Sequence, residues 1–360
     1  MNEKYYTATQ WQLMRRKFRK HRLARLGLIV LIILYTMAIF GEFFSTHDSA
    51  ARDIEHILAP PSQIRMFHEG RFIGPFVYGL YTTEDPRTWR RIYLQNPEEI
   101  HRLGLFVESE RYYLMGFIPL ERRLFGTVDD GIFHLFGTDD SGRDLYSRIV
   151  SGLRVSLTVG LVGVFFTFIL GCLFGGLAGY YGGKVDMIVS RMVEFLQSLP
   201  TIPLWMGLAA AMPQDWTTLQ MYFAITIILS LIGWTALART VRGVLLQMRD
   251  EDFIMSARLS GASSRYLITK HLLPGTLSLL VVNITLAVPG MILGETALSF
   301  LGIGLRAPVI SLGVLLSSAQ NVSAIAVSPW VMIPGIFIIV IVLAFNFLGD
   351  GLRDAADPYK

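Results

Sequence analysis

The chain has 360 residues, 52% of them hydrophobic and only 17% charged, with a formal net charge of +4 and a mean hydropathy of +0.47. So little charge cannot cover the surface of a soluble domain, which excludes the ordinary soluble classes and leaves an integral membrane protein with no nucleic-acid partner expected. The single cysteine, Cys172, excludes a disulfide framework and a cysteine-based metal site.

The first 25 residues carry eight Lys and Arg, and an uncharged run follows over 26–41. That layout suits a signal peptide. The run ends in GEFFST, however, without a small-residue cleavage pattern, and further apolar runs follow, so it reads as a retained first span. A helix needs about 20 mostly apolar residues to cross a bilayer. Six stretches qualify, near 26–44, 153–180, 187–211, 218–241, 275–298 and 330–349. An all-α polytopic membrane protein is the expected fold class. The stretch 307–328 is rich in serine and small residues; if it also crossed, the C-terminus would change sides.

Short loops rich in Lys and Arg stay in the cytoplasm. The basic N-terminus 1–25 and the segment 239–271, with Arg239, Arg242, Arg249, Arg258, Arg265 and Lys270, therefore belong inside, as do 181–187 and the tail 350–360. MPQDWTT and 299–329, the latter with only Arg306, fall outside. So does the long segment 45–135, which the charge rule does not govern.

Within 45–135, aromatics and glycines alternate with charges, and RFIGPFVYGLY and RYYLMGFIPL suit short strands. A small α+β or mostly β external insertion is expected, its aromatics mostly core and a few in contact with a partner. The next segment, GTDDSGRDLYSRIVSGLRVSL (137–157), alternates acids and bases. An amphipathic interfacial helix is expected over 136–152, with Asp144 and Arg148 paired on one face and Leu145, Ile149 and Leu153 on the other. These charges read as a structural elbow. In the spans, Arg191 and Glu194 are spaced to pair, and Pro200, Pro203 and Pro289 are expected to kink their helices. Asn283 and Glu295 are the pore candidates.

The stretch MSARLSGASSRYLITKHLLP (255–274) belongs to a cytoplasmic loop, placed at 242–273, that is long for a helix connection. EDFIMSARLSG reads as a short helix ended by Gly261 in a positive-φ turn, with Phe253, Ala257 and Ser260 on one side and Arg258 on another. Ser263 or Ser264 then caps a second helix leading to Pro274. A solvated loop on the lipid surface and a docking site for a partner fit it equally.

The order small–Ala–x–x–x–Gly–Ala–Ser, then nine residues after the glycine, then His–x–Leu–Pro, resembles the EAA loop of ABC importer permeases. There the short helix is the coupling helix, seated in a groove of the ATP-hydrolysing subunit. The resemblance implies that Phe253, Ala257, Arg258, Gly261, Ala262 and Arg265 form the ATPase-coupling surface. One departure is that Met255 stands where the motif has its glutamate, followed by Ser256 instead of alanine. GTDDSGRDLYSRIVSGLRVSL, GYYGGKVD at 179–186, GETALSFLGIGL at 294–305 and GDGLRDAADP at 349–358 resemble the "C" permeases of dipeptide and oligopeptide importers; RAPVISLG at 306–313 departs from their Pro-rich turn. The resemblance covers about 1–45 and 135–360.

It implies a type I ABC importer fold of six spans and a non-catalytic permease subunit. Such a subunit pairs with a homologous second permease, binds two cytoplasmic ATPase subunits and receives peptides from an extracytoplasmic solute-binding protein. The setting is the bacterial inner membrane, with both termini cytoplasmic and membrane lipid around the chain. Similar permeases carry nickel, opines or oligosaccharides. No P-loop glycine–lysine pattern occurs, so no cofactor is expected on this chain, and ATP and Mg belong to the partner subunits. No His/Glu or His/Cys constellation points to catalysis or to a metal. A stand-alone secondary transporter predicts inverted repeats and ionisable groups at the midplane, and neither is evident. A membrane scaffold leaves the glycine-centred loop unexplained.

Overall fold

The computed structural model of the chain describes residues 10–356 apart from 85, 87–90, 130 and 214. Lys4 of the basic N-terminus and Asp357 and Pro358 of the tail motif lie outside the described residues. Helix α1 (Gln10–Lys20) carries the basic cluster, and α2 (Arg22–Ile39) is capped by His21, whose Nδ1 accepts from Ala24 N at 3.1 Å. After a single turn, α3 (Gly41–Phe44), the chain enters the inserted sheet.

The sheet has four antiparallel strands in sequence order, β1 (Arg65–His68), β2 (Arg71–Glu84), β3 (Arg91–Leu114) and β4 (Ile118–Thr127). The first half of β3 pairs with β2 and its second half with β4, so one long strand serves two hairpins. RFIGPFVYGLY lies in β2 as expected. RYYLMGFIPL does not form one strand but folds back as the β3–β4 hairpin, because Met115 and Gly116 take φ of 52° and 85°. All described regular structure in the insertion is strand. The helical part of an α+β insertion does not form there, since the alternating aromatics suit the two faces of a sheet.

The interfacial helix expected over 136–152 does not form either. Asp139 takes up residues 139–143 as a turn, its carboxylate accepting from Ser141 N (2.8 Å), Arg143 N (2.9 Å) and Arg143 Nε (2.8 Å). Asp144 then caps α4, accepting from Ser147 N at 2.8 Å, and the helix runs unbroken over Leu145–Tyr181. Asp144 and Arg148 therefore do not pair. Arg148 turns to Asp139 (3.3 Å) and to Ser49 O (3.3 Å). Leu145, Ile149 and Leu153 are buried in the main core, as their spacing requires.

Gly182 and Gly183 turn the chain at positive φ into α5 (Gly183–Ser198), where Arg191 and Glu194 pair at 2.8 Å. The expected span over 187–211 is interrupted. Pro200 stands between α5 and α6 (Thr201–Ala210), and Pro203 falls in the first turn of α6, where its missing N–H is not needed. Helix α7 (Thr218–Met248) starts with a reciprocal capping box of Thr217 and Gln220. After the loop described below comes α11 (Leu277–Phe300), which keeps Pro289 within a continuous helix. The stretch 307–328 holds only short pieces, among them α12 (Leu312–Ser317) and α13 (Val322–Val327). Six residues of helix rise about 9 Å, far short of a bilayer. Helix α14 (Ile333–Ala356) closes the described chain.

Helices α4 and α7 run in the same direction. Gly163 meets Ser230, Gly171 meets Leu237, Gly175 meets Ala238 and Gly179 meets Leu245, both numbers rising together. The chain between them must therefore return from one end of the pair to the other, and α5 and α6 make that return at about 24 Å and 15 Å. Helix α11 runs against α4, with Glu295 at Ser156, Ile292 at Gly160 and Met291 at Gly163, and α14 runs against α2, with Ala344 at Gly27 and Ala24 at Gly351. Five helices among the described residues are long and apolar enough to cross a membrane: Arg22–Ile39, Leu145–Tyr181, Thr218–Met248, Leu277–Phe300 and Pro329–Ala356.

Candidate functional site

At the end of the bundle away from the sheet, the chain leaves α7 and folds into a small platform. Helix α8 (Asp252–Leu259) turns one residue inward: Ile254 is fully buried, against Leu245, Leu267 and Leu272. Ser260 N donates to Ser256 O (3.0 Å) and Gly261 N to Arg258 O (3.0 Å). Gly261 then takes φ +85°, and Ala262 N reaches back to Ala257 O at 3.1 Å. This is a glycine-terminated helix end, with a carbonyl satisfied across the turn. Ser263 caps the next segment, its Oγ accepting from Tyr266 N at 3.3 Å. That segment comprises α9 (Ser264–Tyr266), a π-helical stretch (Leu267–Leu272) and α10 (Leu273–Gly275).

The six residues expected to act together are brought together, in two layers. Phe253 (50% exposed), Arg258, Gly261 and Arg265 form the open surface, widened by Leu259 (87%) and Tyr266 (50%). Ala257 and Ala262 are half-buried and pack on the Ile254 and Leu267 cluster, so they seat the helix. Arg258 is exposed like Phe253, and its guanidinium sits 5.5 Å above the Tyr180 ring at the end of α4. Leu259 and Tyr266 escape a sequence reading because nothing in their spacing separates an exposed apolar residue from a membrane-facing one.

A charged pair ties the start of α5 to the last turns of α7, the helix from which the platform leaves. Arg242 NH2 donates to Asp186 Oδ2 at 2.7 Å, its Nε donates to Asp186 Oδ1, and Ser190 Oγ adds a bond at 3.1 Å. The Arg242 hydrogen bonds hold the Asp186 carboxyl below the usual carboxylate range.

The two pore candidates lie apart from this surface. Asn283 is half-buried on α11 and donates to Leu279 O at 2.8 Å, beside a groove of about 550 Å³ lined also by Thr240, Thr276 and Arg353. Glu295 is fully buried at the other end of α11, where it accepts from Ser311 (2.7 Å), Ser299 (2.8 Å) and Ser156 (3.3 Å). That arrangement clamps loops; it does not line an open path.

Long apolar helices, a broken return segment and a solvent-facing platform at one end define a polytopic helical membrane protein. Comparison with known proteins gives its family. The family model for the binding-protein-dependent transport system inner membrane component matches residues 171–359, and that for the N-terminal TM domain of oligopeptide transport permease C matches residues 9–61. This chain belongs to the family of binding-protein-dependent transport system inner membrane components. It is 42% identical over 227 residues to the oligopeptide transport system permease protein OppC of Haemophilus influenzae, covering 63% of this chain and 70% of the relative. It is 31% identical over 355 residues to the dipeptide transport system permease protein DppC of Bacillus subtilis, covering 98% and 86%. Among solved structures it is similar to the inward-facing MetNI methionine ABC transporter, with 22% identity, a TM-score of 0.44, and coverage of 57% of this chain and 95% of that one.

Proposed function

We propose that the chain is the non-catalytic permease subunit of an ATP-driven peptide importer, and that α8 with Gly261 is the element through which partner ATPases drive it. The carrying observation is the platform itself: a short helix seated on buried Ile254, with Phe253, Arg258 and Leu259 exposed on its outer face. The basic helix α1 and the C-terminal end of α14 lie at the same end of the bundle, His21 and Asp354 being 3.7 Å apart. This concentration of Lys and Arg argues for the cytoplasmic side, with both termini there. Counting the α5–α6 return, the chain crosses six times, and the sheet lies outside, where it helps seat a solute-binding protein.

In this reading a homologous second permease completes the translocation path, and two ATPase subunits hold ATP and Mg. Closure of the ATPase pair pushes on Phe253, Arg258 and Arg265, and the rigid seat passes the push to α4 and α7, which exchange inward- and outward-open states. Peptide as cargo is supported by the names of the relatives.

The test is Gly261→Asp in the complex assembled with its ATPases and binding protein. A Cβ at Gly261 meets nothing within 4 Å, so the change acts through φ and the outer face and leaves the packing alone. ATP hydrolysis is expected to lose its response to loaded binding protein while the membrane part stays folded. ATPases that bind and respond as before would reject the role given to α8.

A further inference from the structure

No metal site was legible in the sequence, yet folding brings together ligands from three separate segments. His47 follows α3, His134 closes the insertion, and Asp144 caps α4; one ligand atom from each lies within 4.8 Å of the other two. His134 Nδ1 is 2.9 Å from Asp144 Oδ1, His47 Nδ1 is 3.9 Å from the same oxygen, and the two imidazole centres are 5.0 Å apart.

Three further observations separate this cluster from an ordinary structural His–Asp pair. Asp144 is a buried carboxylate, and among the described residues its only ion-pair partners within 4 Å are these histidines. Its remaining bonds come from uncharged donors, Ser147 N (2.8 Å), Ser147 Oγ (2.6 Å) and Thr46 Oγ1 (3.1 Å). A buried anion needs a counter-charge. Next, His134 is 3% exposed and its Nε2 is buried without a hydrogen-bond partner. The ring is thus uncommitted at Nε2, and its single bond, from Nδ1, is to Asp144, the other group an ion would draw in. Last, the site has an entry path: His47 lines a cavity of about 280 Å³ with Ser45, Asp48, Tyr112 and Arg123.

We propose that His47, His134 and Asp144 form a binding site for a divalent transition-metal ion of the zinc class, completed by water. Two imidazoles and one carboxylate suit zinc at bond lengths of about 2.0–2.2 Å, reached by small rotations of side chains already within 4.8 Å. The ion neutralises Asp144 and ties the two ends of the insertion, at residues 47 and 134, to the start of α4. It is a staple that holds the sheet against the membrane helices.

The experiment uses the full chain in nanodiscs, stripped with a chelator and then loaded with zinc against a competing chromogenic chelator. Metal content is read after desalting and thermal unfolding is followed with and without zinc. The expected result is one retained zinc per chain and a zinc-dependent rise in unfolding temperature. Both are lost in His134→Gln, in His47→Gln and in Asp144→Asn, which keeps an oxygen for the α4 cap; both persist in His68→Gln and His101→Gln. His47 is a third exposed, so its substitution keeps the proposal testable if a change at buried His134 unfolds the chain. A wild type that retains no zinc, or that retains as much as His47→Gln, overturns it.

Discussion

Glu295 and Ser311, sixteen residues apart in sequence, meet at 2.7 Å, and the same Glu295 oxygen accepts from Ser299 at 2.8 Å. Each serine around this carboxylate has a second task. Ser311 Oγ accepts from Val314 N (3.1 Å), Ser299 Oγ from Leu305 N (3.0 Å) and Ser156 Oγ from Leu312 N (3.1 Å). Glu295 thus orients three hydroxyls that in turn fix the loop after α11 and the start of α12. Glu295→Ala is expected to cost roughly 3 kcal/mol, about 1 for each of three buried hydrogen bonds, and Glu295→Gln to recover much of that. Thermal unfolding of the purified chain checks it. Unchanged stability in Glu295→Ala, with transport lost, would instead make Glu295 a pathway residue.

Close approach of α4 and α7 rests on Gly171, Gly175 and Gly179, one turn apart on α4. A Cβ on Gly175 would stand 2.5 Å from Ala238 O and 2.8 Å from Val241 Cβ. Backbone oxygen cannot rotate away, so Gly175→Ala must push the helices apart, at about 1–3 kcal/mol. Gly290 on α11 has nothing within 4 Å of its Cβ position. There alanine is only a better helix former, by up to ~1 kcal/mol, and Gly290→Ala is expected to be neutral or stabilising. Equal unfolding temperatures for the two variants would contradict this account of the packing.

Most of the helical frame was legible because a bilayer imposes long apolar runs; α2 and α11 follow them within five residues, while α7 and α14 run seven residues beyond the expected ends. The break at Pro200 was legible as a kink. What the sequence hid is tertiary. Asp144 and Arg148 have helical spacing, but Asp139 competes for Arg148 and the cap competes for Asp144. Gly116 in RYYLMGFIPL marked a hairpin, yet the flanking apolar residues suited one strand just as well. In the loop after α7, the Gly261 turn was readable from residue type alone. The inward tilt of Ala257 and Ala262 was not, since it depends on where Leu267 and Leu245 pack. Nothing local in the chain links His47 to His134. Glu295 was read only as a pore candidate; its partners Ser156 and Ser311 arrive from other segments.

The Asp186–Arg242 pair gives the contact between α5 and α7 a definite pH behaviour. The Asp186 folded-state pKa lies below its unfolded value of about 3.9, chiefly through the Arg242 hydrogen bonds. A depressed carboxylate contributes stability that is present above the unfolded pKa and is lost as pH falls through the folded one. Between pH 5 and 8 the pair therefore contributes a constant amount. Both side chains are partly exposed, so that amount is at most about 1 kcal/mol, or roughly fivefold in a local opening equilibrium. Hydrogen exchange over α5, residues 183–198, corrected for intrinsic rates, is expected to be flat across this window in the wild type. It should rise by a similar factor at every pH in Asp186→Asn and in Arg242→Ala, and the double variant should be no worse than either single one. Additive effects would mean that the two residues act separately. An effect of Asp186→Asn confined to acid would mean that the pair is not formed at neutral pH.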